Sequence, residues 1–153
     1  MKSRYLYRIA AVLLVLFAAG HTIGFLGFKP PTPEAMAVRD AMRNVHFQVK
    51  SADLSYGGFY NGFGLFVTAY LLFAAFLAWY LSNHPVRALG GALCGVQLIS
   101  LALSWIYFSA PPAVFSAVVA ACCGWAAVLS PSLAVDRRPL EQRSRWQPEP
   151  DCS

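Results

Sequence analysis

Charge is what this sequence has least of. Only 12% of its 153 residues are Asp, Glu, Lys or Arg, while 58% are hydrophobic; an ordinary soluble domain is about 25% charged. The 19 charges fall in four places: three before Ile9, seven from Lys29 to Asp53, Arg87 alone, and eight from Asp136 to Asp151. Residues 9–28, 54–86 and 88–135 carry none, over runs of 20, 33 and 48 residues. This excludes a disordered, collagenous or nucleic-acid-wrapping chain. The lack of Asp and Glu inside the runs counts against a proton-coupled pump or a carboxylate-based intramembrane hydrolase. Serines occur without a Ser/His/Asp arrangement, so a nucleophilic hydrolase has no support and no catalytic set is assigned. Cysteine is scarce too. Cys94, Cys122, Cys123 and Cys152 form no CxxC and no metal-ligand spacing with His21, His46 or His84. No metal site or cofactor is expected, and the cysteines read as small apolar residues.

What is present is hydrophobic length. About 20 apolar residues cross a bilayer as one helix, so the 48-residue run has to fold back, and Ser109-Ala110-Pro111-Pro112 marks the turn. The expectation is an all-α fold, a four-helix transmembrane bundle with spans near 5–28, 57–81, 88–108 and 112–129 in a transmembrane domain over 1–130. The proline-interrupted, charged stretch 131–153 reads as a disordered cytoplasmic tail. Lys2, Arg4 and Arg8 before an apolar run also resemble the start of a signal peptide. The run continues through Ile23, Phe25, Leu26 and Phe28, long enough to span, so the first helix is read as retained. Basic residues favour the cytoplasmic side. With the N-terminus inside, Lys2, Arg4, Arg8, Arg87, Arg137, Arg138, Arg143 and Arg145 face the cytoplasm, against Lys29, Arg39, Arg43 and Lys50 outside. Both termini are therefore expected in the cytoplasm. The net charge of +5 is assigned to orientation and anionic lipid, not nucleic acid.

Between the first two spans, Thr32-Pro33-Glu34 reads as a helix start. Ala35, Val38, Met42, Val45 and Val49 then recur on one face, flanked by Arg39, Arg43, His46 and Lys50. This predicts an amphipathic interfacial helix over about 33–49. It serves either as a plain connector or as a lid whose Arg39, Arg43 and Lys50 meet an anion or lipid headgroup.

Each span carries a stripe of small or polar residues. They are Gly20, Thr22, Gly24 and Gly27 around His21; Gly57, Asn61, Gly64, Thr68 and Ala75; Gly90, Cys94, Gln97, Ser100 and Ser104; and Ala113, Ser116, Ala120, Cys123, Gly124 and Ala127. Such stripes let helices approach closely in lipid. Tyr and Trp gather toward span ends as interfacial anchors.

His21 is the one imidazole inside a span, at a depth where ionisable groups are rare. It either bonds structurally to Asn61 or Gln97, or serves a ligand, with Thr22, Asn61, His46 and Gln97 as the other candidate binding residues and the interfacial helix as a roof. Three functions stay open. A non-enzymatic accessory or scaffold protein, packing on itself or on a membrane partner, ranks first because it asks for least. A binder of lipid, quinone or another hydrophobic small molecule, with an outer-leaflet pocket around His21, comes second. A membrane isomerase or redox enzyme using His21 as acid/base comes third.

The strings HTIG at His21–Gly24, VRDAM at Val38–Met42 and FYNGFGLF at Phe59–Phe66 resemble a family of small uncharacterised bacterial integral membrane proteins with four spans. The resemblance implies a bacterial inner-membrane address and the motif positions His21, Thr22, Gly24, Arg39, Met42, Phe59, Gly62 and Gly64. It implies no activity.

Overall fold

The computed structural model describes residues 2–131. In chain order the elements are α1 Lys2–Gly27, α2 Pro33–Asn44, β1 His46–Val49, β2 Ala52–Ser55, α3 Tyr56–Asn83, α4 Arg87–Tyr107 and α5 Ala110–Val128. Helices α1, α3, α4 and α5 are each long and apolar enough to cross a membrane. They form an all-α four-helix bundle, and the protein is a multi-pass membrane protein. The tail expected from residue 131 onward lies, beyond Pro131, outside the described residues.

The lateral order of the bundle is α3, α1, α5, α4: α1 packs along both α3 and α5, α4 is held mainly by α5, and α3 and α4 touch little although they are consecutive. Half of the buried core is alanine. Ala10, Ala11 and Ala18 of α1 meet Ala74, Ala75 and Ala78 of α3 around Tyr7, Leu14, Leu71 and Leu81. Lipid tails offer no hydrophobic drive for helix association, so close van der Waals approach through small residues holds the pair, and alanine costs no helix propensity. Bulky side chains such as Phe66, Phe73 and Phe76 stay exposed on the outer face, as lipid permits.

Two arginines close the α1–α3 pair at its two ends. Arg4 Nε donates to the Ser82 carbonyl at 3.0 Å and its Nη2 to Asn83 Oδ1 at 3.3 Å, satisfying the C-terminus of α3. At the other end Arg39 Nη1 donates to the Phe28 carbonyl at 2.8 Å, just past the C-terminus of α1. A cation at a helix C-terminus satisfies carbonyls that have no intrahelical partner and complements the helix dipole.

Helix α2 starts as its sequence predicts, with Thr32 accepting from the Ala35 N–H at 3.2 Å and Pro33 in the first turn. It stops at Asn44 instead of running on to Val49. Residues 46–55 form an antiparallel hairpin pairing His46 with Ser55 and Val49 with Ala52, and the Tyr56 N–H donates to the Val45 carbonyl at 3.3 Å. Val45, Phe47 and Val49 are β-branched or aromatic and favour strand. The strand also lets Phe47 pack on Tyr56 and Phe59, with ring centroids 4.7 and 6.0 Å apart. The hairpin removes His46 and Lys50 from the face of α2. Lys50 becomes a turn residue with φ +56°.

Most of the stripe positions of α3, α4 and α5 pack as expected: Gly64, Ala75, Gly90, Gln97, Ser104, Ala113, Ser116, Ala120, Cys123 and Ala127 are buried, whereas Asn61 is exposed. The glycines of the α1 stripe do not. A Cβ on Gly20, Gly24 or Gly27 would meet nothing within 4 Å, so these glycines border open space and make no helix contact.

Candidate ligand cavity

The open space beside α1 follows from helix length. Phe17 of α1 stacks on Phe115 of α5, centroids 5.2 Å apart and planes at 19°. Beyond that level α1 continues for ten residues and α5 for five toward its start, about 15 Å against about 7.5 Å of helix. Helix α1 thus stands above the α4–α5 turn, and α2 crosses over the step. The result is a cavity of about 1290 Å³, larger than the roughly 300–1,000 Å³ usual for small-molecule sites. Phe108, Ser109, Pro111, Pro112 and Phe115 form its floor, Phe17, Gly20, His21, Gly24 and Phe25 one wall, Tyr60 and Asn61 the other, and Ala35, Val38, Arg39, Met42 and Arg43 the roof.

His21 sits at the seam between cavity and bundle. Its Nε2 lies 3.1 Å from the Gly64 carbonyl. A carbonyl only accepts, so Nε2 carries the proton and Nδ1 is left for a ligand. The ring stacks on Phe25 at 5.7 Å and 11°, and Phe25 tilts against Tyr60 at 5.3 Å. The Phe25 ring occupies the space that a side chain at Gly64 would need. Next to it on α1, Thr22 Oγ1 donates to the Ala18 carbonyl at 2.7 Å and lies 2.9 Å from Thr68 Oγ1. The His21–Gly64 and Thr22–Thr68 bonds between α1 and α3, each worth roughly 0.6–2 kcal/mol in a membrane, fix the register that aims His21.

Of the residues the sequence singled out, His21, Asn61, Arg39 and Arg43 line the cavity. The structural bond expected from His21 to Asn61 or Gln97 goes to the Gly64 carbonyl instead. Thr22 turns into the α1–α3 interface. Gln97 is 1% exposed in the bundle interior, and neither of its amide atoms has a partner among the described residues. His46 is exposed on the hairpin, with Nδ1 3.0 Å from the Asn44 carbonyl, and Lys50 lies in the turn; neither lines the cavity. The aromatic walls Phe17, Phe25, Tyr60, Phe108 and Phe115 were missed, because in an apolar span they look like any lipid-facing ring.

No cluster of three or more His, Cys, Asp or Glu able to hold a metal occurs among the described residues. Arrangement and cavity together define a four-span α-helical membrane protein with a roofed, largely apolar chamber at the end opposite Lys2. No protein-family model, curated protein sequence or solved structure matches the chain.

Proposed function

We propose that the protein is a non-catalytic binder of a hydrophobic small molecule, taken up from the bilayer into the chamber beneath α2. The observation that carries this reading is the chamber itself: aromatic walls, glycines that keep it open, and a few polar groups (His21, Asn61, Arg39, Arg43) in its walls and roof, the composition typical of ligand sites. A scaffold would spend its small stripes on a partner, whereas those of α3, α4 and α5 are spent inside this chain. Acid/base catalysis has little to rest on, since His21 bonds a carbonyl and has no carboxylate beside it in the cavity. Gentle purification followed by mass spectrometry and absorbance tests the proposal. An apolar compound is expected to co-purify near one per chain and to be reduced several-fold in His21→Ala; ligand-free protein from the native membrane would refute it.

The excess of basic residues beside Lys2 and Arg87 supports an orientation with both termini in the cytoplasm, and the HTIG and FYNGFGLF resemblance supports a bacterial inner membrane. The chamber then opens toward the outer leaflet. A reporter fused after Ser153 is expected to be active only as a cytoplasmic fusion, and activity on the far side would reverse the assignment.

A further inference from the structure

The chamber is apolar below and cationic above, and the one acid grouped with its arginines, Asp40, lines a smaller neighbouring pocket with Arg39 and Arg43 instead. Its lining contains two arginines and one histidine but no Asp or Glu. The two arginines differ in what they already do. Arg39 is engaged with the Phe28 carbonyl at 2.8 Å, closing the end of α1. Arg43 is exposed and lines the cavity, and its guanidinium has no hydrogen bond among the described residues.

Arg43 is also held in place. Its Cγ and Cα lie 3.3 and 3.4 Å from where a Cβ on Gly57 would stand, and the Met42 carbonyl lies 3.2 Å from the same point. Gly57 therefore lets α2 settle directly on the first turn of α3, and any larger residue would lift the Arg43 stem away. Beside Arg43 lies the first turn of α3, with Gly57, Tyr60 and Asn61, while the first turn of α5, with Pro111 and Pro112, lies across the cavity in its floor. The positive end of the α3 dipole thus lies beside Arg43. The negative end of α1 is already covered by Arg39.

We propose that the ligand is an amphiphile with one hydrocarbon chain and an anionic head, the chain lying among Phe17, Phe25, Phe108 and Phe115 and the head bound by Arg43 at the roof. The inference rests on the binding function proposed above and names the chemistry of that ligand. A guanidinium facing an anion makes charge-assisted, often bidentate, hydrogen bonds, and because Arg43 is exposed these are screened by salt. A neutral quinone or alcohol would leave the exposed Arg43 to water and gain nothing from its charge. A free inorganic anion would leave the aromatic floor empty.

The test uses the full-length protein in detergent and three probes: dodecyl phosphate, dodecanol and inorganic phosphate. Dodecyl phosphate is expected to bind at least tenfold more tightly than dodecanol, and this preference should shrink as salt is raised. Arg43→Gln should reduce the preference to within about threefold by weakening only the phosphate probe, and Arg43→Lys should keep part of it. Equal binding of the two chain-bearing probes to the wild type would overturn the anionic head while leaving the chamber as a binding site. Binding of inorganic phosphate as strong as that of dodecyl phosphate would overturn the amphiphile in favour of a bare anion site. If neither chain-bearing probe binds, the chamber's binding function itself fails.

Discussion

Gly90→Ala is expected to be the most destabilising single-methyl change in the bundle, and Tyr7→Phe should rescue most of the loss. Gly90 lies in the first turn of α4, where a Cβ would collide with the Tyr7 hydroxyl and stand 3.1 Å from Tyr7 Cζ and 3.0 Å from the Ala127 Cβ. Three helices meet at this point. Tyr7 is 0% exposed, so its ring has nowhere to turn, and α4 has to back away from both α1 and α5. Overpacking of this kind costs about 1–3 kcal/mol. The hydroxyl responsible contributes little in return, because it has no hydrogen-bond partner among the described residues, and an unmet buried hydroxyl is itself a cost of about 1–3 kcal/mol. Tyr7→Phe alone should therefore be neutral or stabilising. The pair Gly90→Ala with Tyr7→Phe should recover at least half of the single-variant loss in a thermal or denaturant melt in detergent, a coupling that a double-mutant cycle reads directly. A double variant no more stable than Gly90→Ala alone would show that the Tyr7 hydroxyl is not what Gly90 accommodates.

The bundle was legible in the sequence because in a membrane the absence of charge carries the signal. Three uncharged runs and one proline pair place four spans within a few residues of their observed ends. The helix start at Thr32 was legible for a local reason, a cap and a proline. Its end was not. Val45 and Val49 continue the apolar period of α2, and only packing of Phe47 on Tyr56 and Phe59 turns that stretch into a strand. The same ambiguity misplaced His46 and Lys50 beside the site. Gln97 was misplaced for another reason. Its stripe faces α5, while His21 lies on the far side of α1 against α3, and the order α3, α1, α5, α4 leaves no trace in the hydropathy of any one helix. The convergence of His21, Asn61, Arg39 and Arg43 was readable, since topology alone brings the end of the first span, the start of the second and the linking helix together. What made that convergence a chamber is the difference in reach between α1 and the α4–α5 hairpin. That difference was present in the expected span lengths, 24 and 25 residues against about 21 and 18, and is the signal that would have located the floor at Phe108–Phe115.

A tryptophan at Gly24 should weaken ligand retention at least tenfold without harming the fold. Glycine inside a helix costs roughly 0.5–1 kcal/mol relative to alanine, and in α1 no close helix contact recovers that cost, because Gly20 and Gly24 have nothing within 4 Å of a would-be Cβ. They line the chamber one turn apart on the same face as His21, so their missing side chains are what keeps the wall open. Gly24→Trp fills the space beside His21 and Phe25 from a rigid helix, and should lower dodecyl phosphate affinity at least tenfold. Adding Gly20→Phe should take binding below detection. Thermal stability should be unchanged or higher, because both substitutions improve helix propensity and enter empty space. Gly27→Trp is the matched control: it too has open space around it but does not line the chamber, so its affinity should stay at the wild-type value. If Gly24→Trp folds and retains the probe as the wild type does, the chamber is not where the ligand sits. If Gly24→Trp and Gly27→Trp weaken binding equally, the effect comes from the end of α1 as a whole, and the specific role given to this wall is wrong.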